Sequence, residues 1–345
     1  MFGKRKGLFV LLLSAALIIT GCGANGNQEA GSASQESSGA AKSDELKSVR
    51  IGATSATAQL TESAQLAQEL GYIDEELEKV GCKAEYVGFA GAGPAVNEAF
   101  AADEIDYAFY ADFPAITAKS NKVDLKVIGL GNSQMNYGLL VTGDSGIKKA
   151  EDMEGKKIIV TPGTILYKYF AELCEEKGVD INKVEIVNAL TDAQTVLASG
   201  EADGLISALS NIKMYETMGL GKVIVDSTDT PDATSGFVLA GRTKFVEENA
   251  DVNKALLKAL KRAAEYAEKN PEKVYDLLET ETMTKEVLKE TYQYDESFSY
   301  FKPELSDEYM ARAERIYNFA KENSLLGGEV DLKELFDSTY MDDID

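Results

Sequence analysis

The chain has 345 residues, with 35 lysines and arginines against 58 aspartates and glutamates, a formal charge of −23 and no histidine. That acidic excess argues against nucleic acid or an anionic membrane surface as partner, because both require clustered basic residues. The missing histidine removes Ser-His-Asp and Cys-His catalysis and histidine-ligated metal sites.

The chain opens on Lys4, Arg5 and Lys6, followed by an almost unbroken apolar run from Leu8 to Ile19. A run this short falls below the ~20 residues needed to span a bilayer and reads as a secretory signal over residues 1–21. Ile19-Thr20-Gly21-Cys22 resembles the lipobox of bacterial lipoproteins. That resemblance implies a Cys22 diacylated on sulfur, which would hold the protein at the outer face of the cell membrane. Residues 22–48 are mostly Gly, Ala, Ser, Asn, Gln and Glu. They carry too little apolar surface to offset their ordering entropy and read as a flexible tether.

From Val49 the pattern alternates between strands and helices. Strands are expected at 49–53, 84–89, 105–110 and 125–129, with helices at 59–70, 74–80, 94–102 and 114–120. The segment 137–142 is extended. The pattern then restarts with strands at 157–161, 184–188 and 202–206 and helices at 165–177 and 193–199. Residues 237–241 read as a returning strand, and everything from Lys244 on is helical. Short strands separated by helices indicate mainly parallel sheets covered on both faces. The expected architecture is α/β, of two lobes: 49–140 with 236–345, and 141–235. Cys174 falls on the apolar side of its helix with Phe170 and Leu173, and a disulfide to Cys82 is not expected.

Ligands of open α/β sheets settle beyond the carboxyl ends of the strands. In the first lobe those ends offer Thr54, Ser55 and Gln59, then Gly93 and Asn97, then Tyr110, Asp112 and Phe113, and finally Asn132 and Gln134. The second lobe offers Thr161, Gly163 and Thr164, then Asn188 and Ser207, with Thr234 and Ser235 at the return. Any one of these could be a turn or a helix cap. Their recurrence at nearly every strand end favours a shared ligand cleft.

Several motifs carry a family likeness. Glu69-Leu70-Gly71-Tyr72-Ile73, Asn97-Glu98-Ala99-Phe100, Asp112-Phe113-Pro114, Asp152-Met153-Glu154-Gly155-Lys156 and Gly200-Glu201-Ala202-Asp203 follow one another in order. Together they resemble the solute-binding proteins of the sulfonate, taurine and nitrate group, which also includes binders of pyrimidine precursors of thiamine. The resemblance implies a periplasmic binding protein type II-like fold, hinges near Thr142 and Ser235–Gly236, and no cofactor. It also implies a monomer that delivers a small molecule to the permease and ATPase of an ABC importer. A ligand sensor for a membrane receptor is the alternative role. The superfamily's pyrimidine synthase consumes a histidine of its own chain, which this sequence lacks, so no enzyme activity is expected.

The ligand expected from this likeness is an aliphatic sulfonate or taurine-like solute, with an aromatic heterocycle as the alternative. Thr164 opens a helix whose free amides suit an anion, and no Lys or Arg stands on the strand-end loops. Asp112 is either the partner of a ligand amine or the cap of the next helix. Tyr110, Phe113 and Tyr167 are candidates for stacking on a ring.

Overall fold

The computed structural model describes residues 46–227, 229–230, 233–342 and 344. The expected signal (1–21), the lipidated Cys22 and nearly all of the tether (22–48) lie outside these residues. In chain order the strands are β1 Lys47–Ala53, β2 Cys82–Gly88, β3 Tyr107–Ala111, β4 Leu125–Met135, β5 Tyr137–Val141, β6 Lys157–Ile159, β7 Glu185–Val187, β8 Gly204–Ala208, β9 Lys222–Asp226 and β10 Ser235–Arg242. The helices are α1 Glu62–Glu69, α2 Tyr72–Glu78, α3 Ala92–Ala101, α4 Asp112–Ser120, α5 Ile165–Lys177, α6 Ala193–Ser199, α7 Leu209–Thr217, α8 Thr243–Glu248, α9 Ala250–Lys269, α10 Pro271–Leu278, α11 Lys285–Thr291, α12 Asp307–Glu322 and α13 Leu332–Leu335.

Two sheets form, ordered β2-β1-β3-β10-β4 and β7-β6-β8-β5-β9. Their central strands are apolar on both faces, and the two-residue period of a strand divides them between two cores. In the first sheet Tyr107 and Phe109 of β3, with Phe237 and Leu239 of β10, face α1, α2 and α9. Ala108 and Tyr110, with Val238 and Ala240, face α3, α4 and α12. In the second sheet Leu139 and Ile206 pack with Phe170 and Leu173 of α5, while Leu140 and Leu205 pack with Leu197 of α6 and Ile212 of α7. Helix α9 buries Leu256, Leu257 and Leu260 completely, each side chain contributing about 1.5–3 kcal/mol relative to exposure.

Strand direction places the site. β1, β2 and β3 are parallel, and so are β6, β7 and β8. β10 and β5 run antiparallel to these, so Phe237 pairs with Ala111 and Tyr137 pairs with Ala208. Both crossings between the lobes therefore lie at the carboxyl ends of the parallel strands, where loops from the two sheets converge.

Two expectations need correction. Residues 137–141 read as the end of the first lobe, yet β5 pairs with β8 and β9 in the second sheet. The first crossing is accordingly at Asn136 rather than near Thr142. Strand β4 also continues to Met135 instead of stopping at 129, which turns Asn132 and Gln134 from loop residues into strand residues. Apolar periodicity identifies a strand but not its neighbours, so β5 gave no sign of its sheet. Cys82 and Cys174 are buried free thiols.

Candidate functional site

A cavity of about 230 Å³ opens where the two sets of loops meet. The first lobe lines it with Thr54, Thr61, Ala92, Gly93, Ala111 and Phe237, and Met135 and Tyr137 flank the crossing. The second lobe adds Thr164, Ile165, Leu166, Leu190, Ser207 and Asn211. Among the described residues no charged side chain stands on this wall.

Helix α5 starts at the cavity for local reasons. Gly163 takes the left-handed conformation at φ +78°, and Thr164 then caps the helix, its hydroxyl oxygen accepting the Tyr167 amide at 3.4 Å. The Thr164 carbonyl takes the amides of Tyr167 and Lys168. This leaves the Ile165 and Leu166 amides, among the described residues, without acceptors at the cavity wall, as the first turn of a helix does when no group caps it. Helix α3 starts opposite. Pro94 in its first turn places Cγ 3.7 Å from where a side chain on Gly163 would begin, so the two lobes touch at these two helix starts. Gly93 lies so close to α4 that an added Cβ would stand 2.5 Å from the Pro114 ring. Two helix N-termini thus bring partial positive charge to one end of the cavity.

The cavity wall also holds an unpaired polar atom. The Thr61 hydroxyl is buried without a hydrogen-bond partner among the described residues, whereas the Tyr137 hydroxyl, on a side chain only 2% exposed, lies within reach of Ser235 in the return crossing. Native interiors seldom leave buried polar groups unmatched, so Thr61 marks a position for ligand or water.

The sequence-predicted site residues divide into three sets. Thr54, Gly93, Thr164 and Ser207 line the cavity. Asn132 and Gln134 line a smaller adjoining chamber. The others lie behind these walls or at their margin. Ser55 donates to the Gln59 carbonyl at 2.8 Å, and the Gln59 amide reaches Glu69. Asn97 ties α3 to α4 through the Pro114 carbonyl, 2.9 Å away. Thr161 bonds Asn188 on the exposed rim. Tyr110 and Phe113 are core residues of the first lobe, which removes two of the three expected ring-stacking positions. Thr234 and Ser235 are fully buried in the return crossing.

Asp112 differs most from expectation. It is fully buried, and its oxygens accept the Phe113 amide at 2.7 Å, the Gly236 amide at 2.5 Å and the Tyr309 hydroxyl at 3.2 Å. Burial pushes its pKa up, and those hydrogen bonds together with the Lys168 charge draw it part of the way back. Asp112 fastens the return crossing to the first lobe and does not reach the cavity.

Lys168, which the sequence reading missed, fastens the same crossing from the other side. Fully buried on α5, it bonds the Ala233 and Thr234 carbonyls at 3.4 Å and pairs with Glu172 at 2.7 Å. Burial lowers the Lys168 pKa and raises that of Glu172 to about 7. The spacing Thr164, Lys168, Glu172, one helical turn at a time, was the available signal.

Two α/β lobes that close over a cavity at the carboxyl ends of both sheets define a protein of the periplasmic binding protein fold, type II-like. Residues 64–274 match the NMT1/THI5 like family model, and the chain belongs to that family. It is 29% identical over 343 residues to a Bacillus subtilis (strain 168) protein assigned as an aliphatic sulfonates-binding protein, covering 98% of this chain and 96% of that one. In structure it resembles the periplasmic sulfonate-binding protein SsuA of Methylobacillus flagellatus KT, with a TM-score of 0.70 and 24% identity over 86% of this chain and 93% of the other. The desulfurization enzyme DszB has the same fold, with a TM-score of 0.66 and 17% identity over 86% of this chain and 98% of the enzyme. In this chain Cys82 lies at the outer end of β2, and burial pushes the Cys174 thiol up to about 12, so neither offers a thiolate to the cavity. Among the described residues no helix is long and apolar enough to cross a membrane.

Proposed function

We propose that the protein is the extracytoplasmic substrate-binding component of an ABC importer. It captures a small organic sulfonate by lobe closure and delivers it to the permease and ATPase. Cys22 tethers it, through lipid, to the outer face of the membrane. One observation carries the ligand class. The cavity places the unpaired amides of α5 and the hydroxyls of Thr54, Thr61 and Ser207 on a wall that, among the described residues, lacks Lys and Arg. Such a wall suits a weakly hydrated, singly charged acid group beside an apolar body, and would not neutralise a multiply charged phosphate. The remaining lining is largely apolar, as small-ligand sites are.

The test is thermal unfolding of refolded, ligand-free protein with alkanesulfonates, aminosulfonates and pyrimidines. A true ligand at a hundredfold excess over Kd adds about 2.7 kcal/mol of stability, read as a clear rise in Tm. A rise with pyrimidines alone would move the ligand to the heterocycle class, and no rise with any compound would remove both. For the anchor, Cys22→Ser should shift the protein from the membrane to the soluble fraction. Unchanged membrane association would refute the lipid tether.

A further inference from the structure

Helix α5 runs from the cavity into the core, and its enclosed face carries charge. Lys168 stands one turn below Thr164, and Glu172 one turn below that, about 12 Å from the helix start. Lys168 is fully buried, whereas the Glu172 side chain keeps 17% exposure and so can exchange protons with solvent. The two are 2.7 Å apart, and the Asp112 carboxylate faces Lys168 from the first lobe. Two acids thus share one buried base beneath the end of the cavity where the free α5 amides stand. Lys168 and Asp112 also grip neighbouring stretches of the return crossing, through the Ala233 and Thr234 carbonyls and the Gly236 amide.

The other groups facing this pair are Glu175 on α5, Tyr137 of β5 and Arg312 of α12, which faces Lys168. The turn at 150–153 also packs on α5, but Glu151 pairs with Lys149 and Asp152 accepts the Lys148 and Lys149 amides. Strand β8, which α5 covers, has no titratable residue. Burial raises the Glu172 pKa to about 7 against the pull of Lys168, and Asp112 and Glu175 add to the rise. In the ligand-free protein Glu172 is therefore partly protonated at neutral pH.

We infer that capture of an anion in the cavity is coupled to uptake of a proton from solvent by the Glu172 carboxylate. This rests on the sulfonate reading above, because it needs a permanent negative charge at the α5 N-terminus. With Glu172 ionised, its charge cancels that of Lys168. With Glu172 protonated, the Lys168 charge acts uncancelled on the anion one turn above. The bound anion favours the second state, so affinity is highest below neutral pH and falls as the pH rises through the range where Glu172 gives up its proton. Unit charges about 12 Å apart at an effective dielectric of about 20 change each other's equilibria by roughly tenfold, which sets the size of the effect.

The test is titration calorimetry of refolded, ligand-free protein with methane-, ethane- and butanesulfonate, which stay anionic at every pH used. For those that bind, Kd should rise about three- to tenfold from pH 6 to pH 8.5, and heats in buffers of different ionisation enthalpy should show uptake of about half a proton near pH 7.5. Glu172→Gln should hold Kd within twofold over that range and take up no proton. Glu175→Gln, altered at an exposed position of the same helix, should behave as wild type. A wild-type Kd that stays within twofold, without proton uptake, would overturn the coupling and leave the sulfonate reading standing. A pH dependence that survives in Glu172→Gln, or is lost in Glu175→Gln, would overturn the role of Glu172. Binding of none of the three sulfonates would overturn the parent reading and this inference with it. If Glu172→Gln does not fold, carbon-13 NMR of wild type labelled at its glutamate carboxyls decides: one carboxyl should titrate near neutral pH and gain protonation with ligand, and the lack of any such signal would overturn the assignment.

Discussion

Asp112→Ala is expected to destabilise the folded protein by about 3–5 kcal/mol, the usual cost of removing one member of a buried charged network. The substitution strips the acceptor from the Gly236 amide and the Tyr309 hydroxyl, both enclosed, and each abandoned buried donor costs about 1–3 kcal/mol. It also removes one of two carboxylates that face the Lys168 charge inside the protein. There is no slack to absorb the change, because a side chain on Gly236 would already collide with the Tyr309 ring. In a protein of this size the loss corresponds to a fall in Tm of roughly 10 °C. Urea unfolding of wild type and variant provides the measurement. A difference below 1 kcal/mol would show that Asp112 does not hold the crossing, and would reopen its role as a ligand contact.

Ser207→Phe is expected to raise the Kd for the ligand at least a hundredfold, about 2.7 kcal/mol, with Tm close to that of wild type. Ser207 is the penultimate residue of β8, and its side chain lines the cavity, where its oxygen accepts from Asn211 at 3.3 Å. An aromatic ring there enters space that is already open, so it overpacks no core and displaces ligand instead. Calorimetry with the ligand found in the sulfonate panel provides the measurement. Affinity within threefold of wild type would place the ligand outside this cavity.

Much of the fold was legible because its elements announce their own ends. Helix α5 was expected at 165–177 and occupies those residues, since Thr164 caps its start and Gly178, left-handed at φ +67°, closes it. α6 is bounded in the same way by Gly200 at φ +73°. Pairing was less legible. Tyr137-Gly138-Leu139-Leu140-Val141 satisfies the apolar criterion for either sheet, and only the ladder to β8 decides which. α7 and β9, which complete the second lobe, went unread. In the site, the strand ends indicated the neighbourhood but not the orientation. A shift of one residue turns a side chain from cavity to core, which is why Ala111 lines the cavity while Tyr110 and Asp112 are enclosed behind it. Thr61 was missed because it stands eight residues beyond the end of β1, at the cap of α1, whereas the search kept to the residues just after each strand.

The position of β10 has a consequence for how the protein is made. That strand lies between β3 and β4, so the first sheet cannot be completed until residues 235–242 exist, after every strand of the second sheet has been made. The second lobe can pair all its strands from one continuous segment, Tyr137–Asp226, whereas the first must keep a slot open across that interval. Long-range closure of this kind is slow. The nascent chain should therefore complete its middle sheet first, with β4 waiting beside the already paired β1, β2 and β3 for a late insertion.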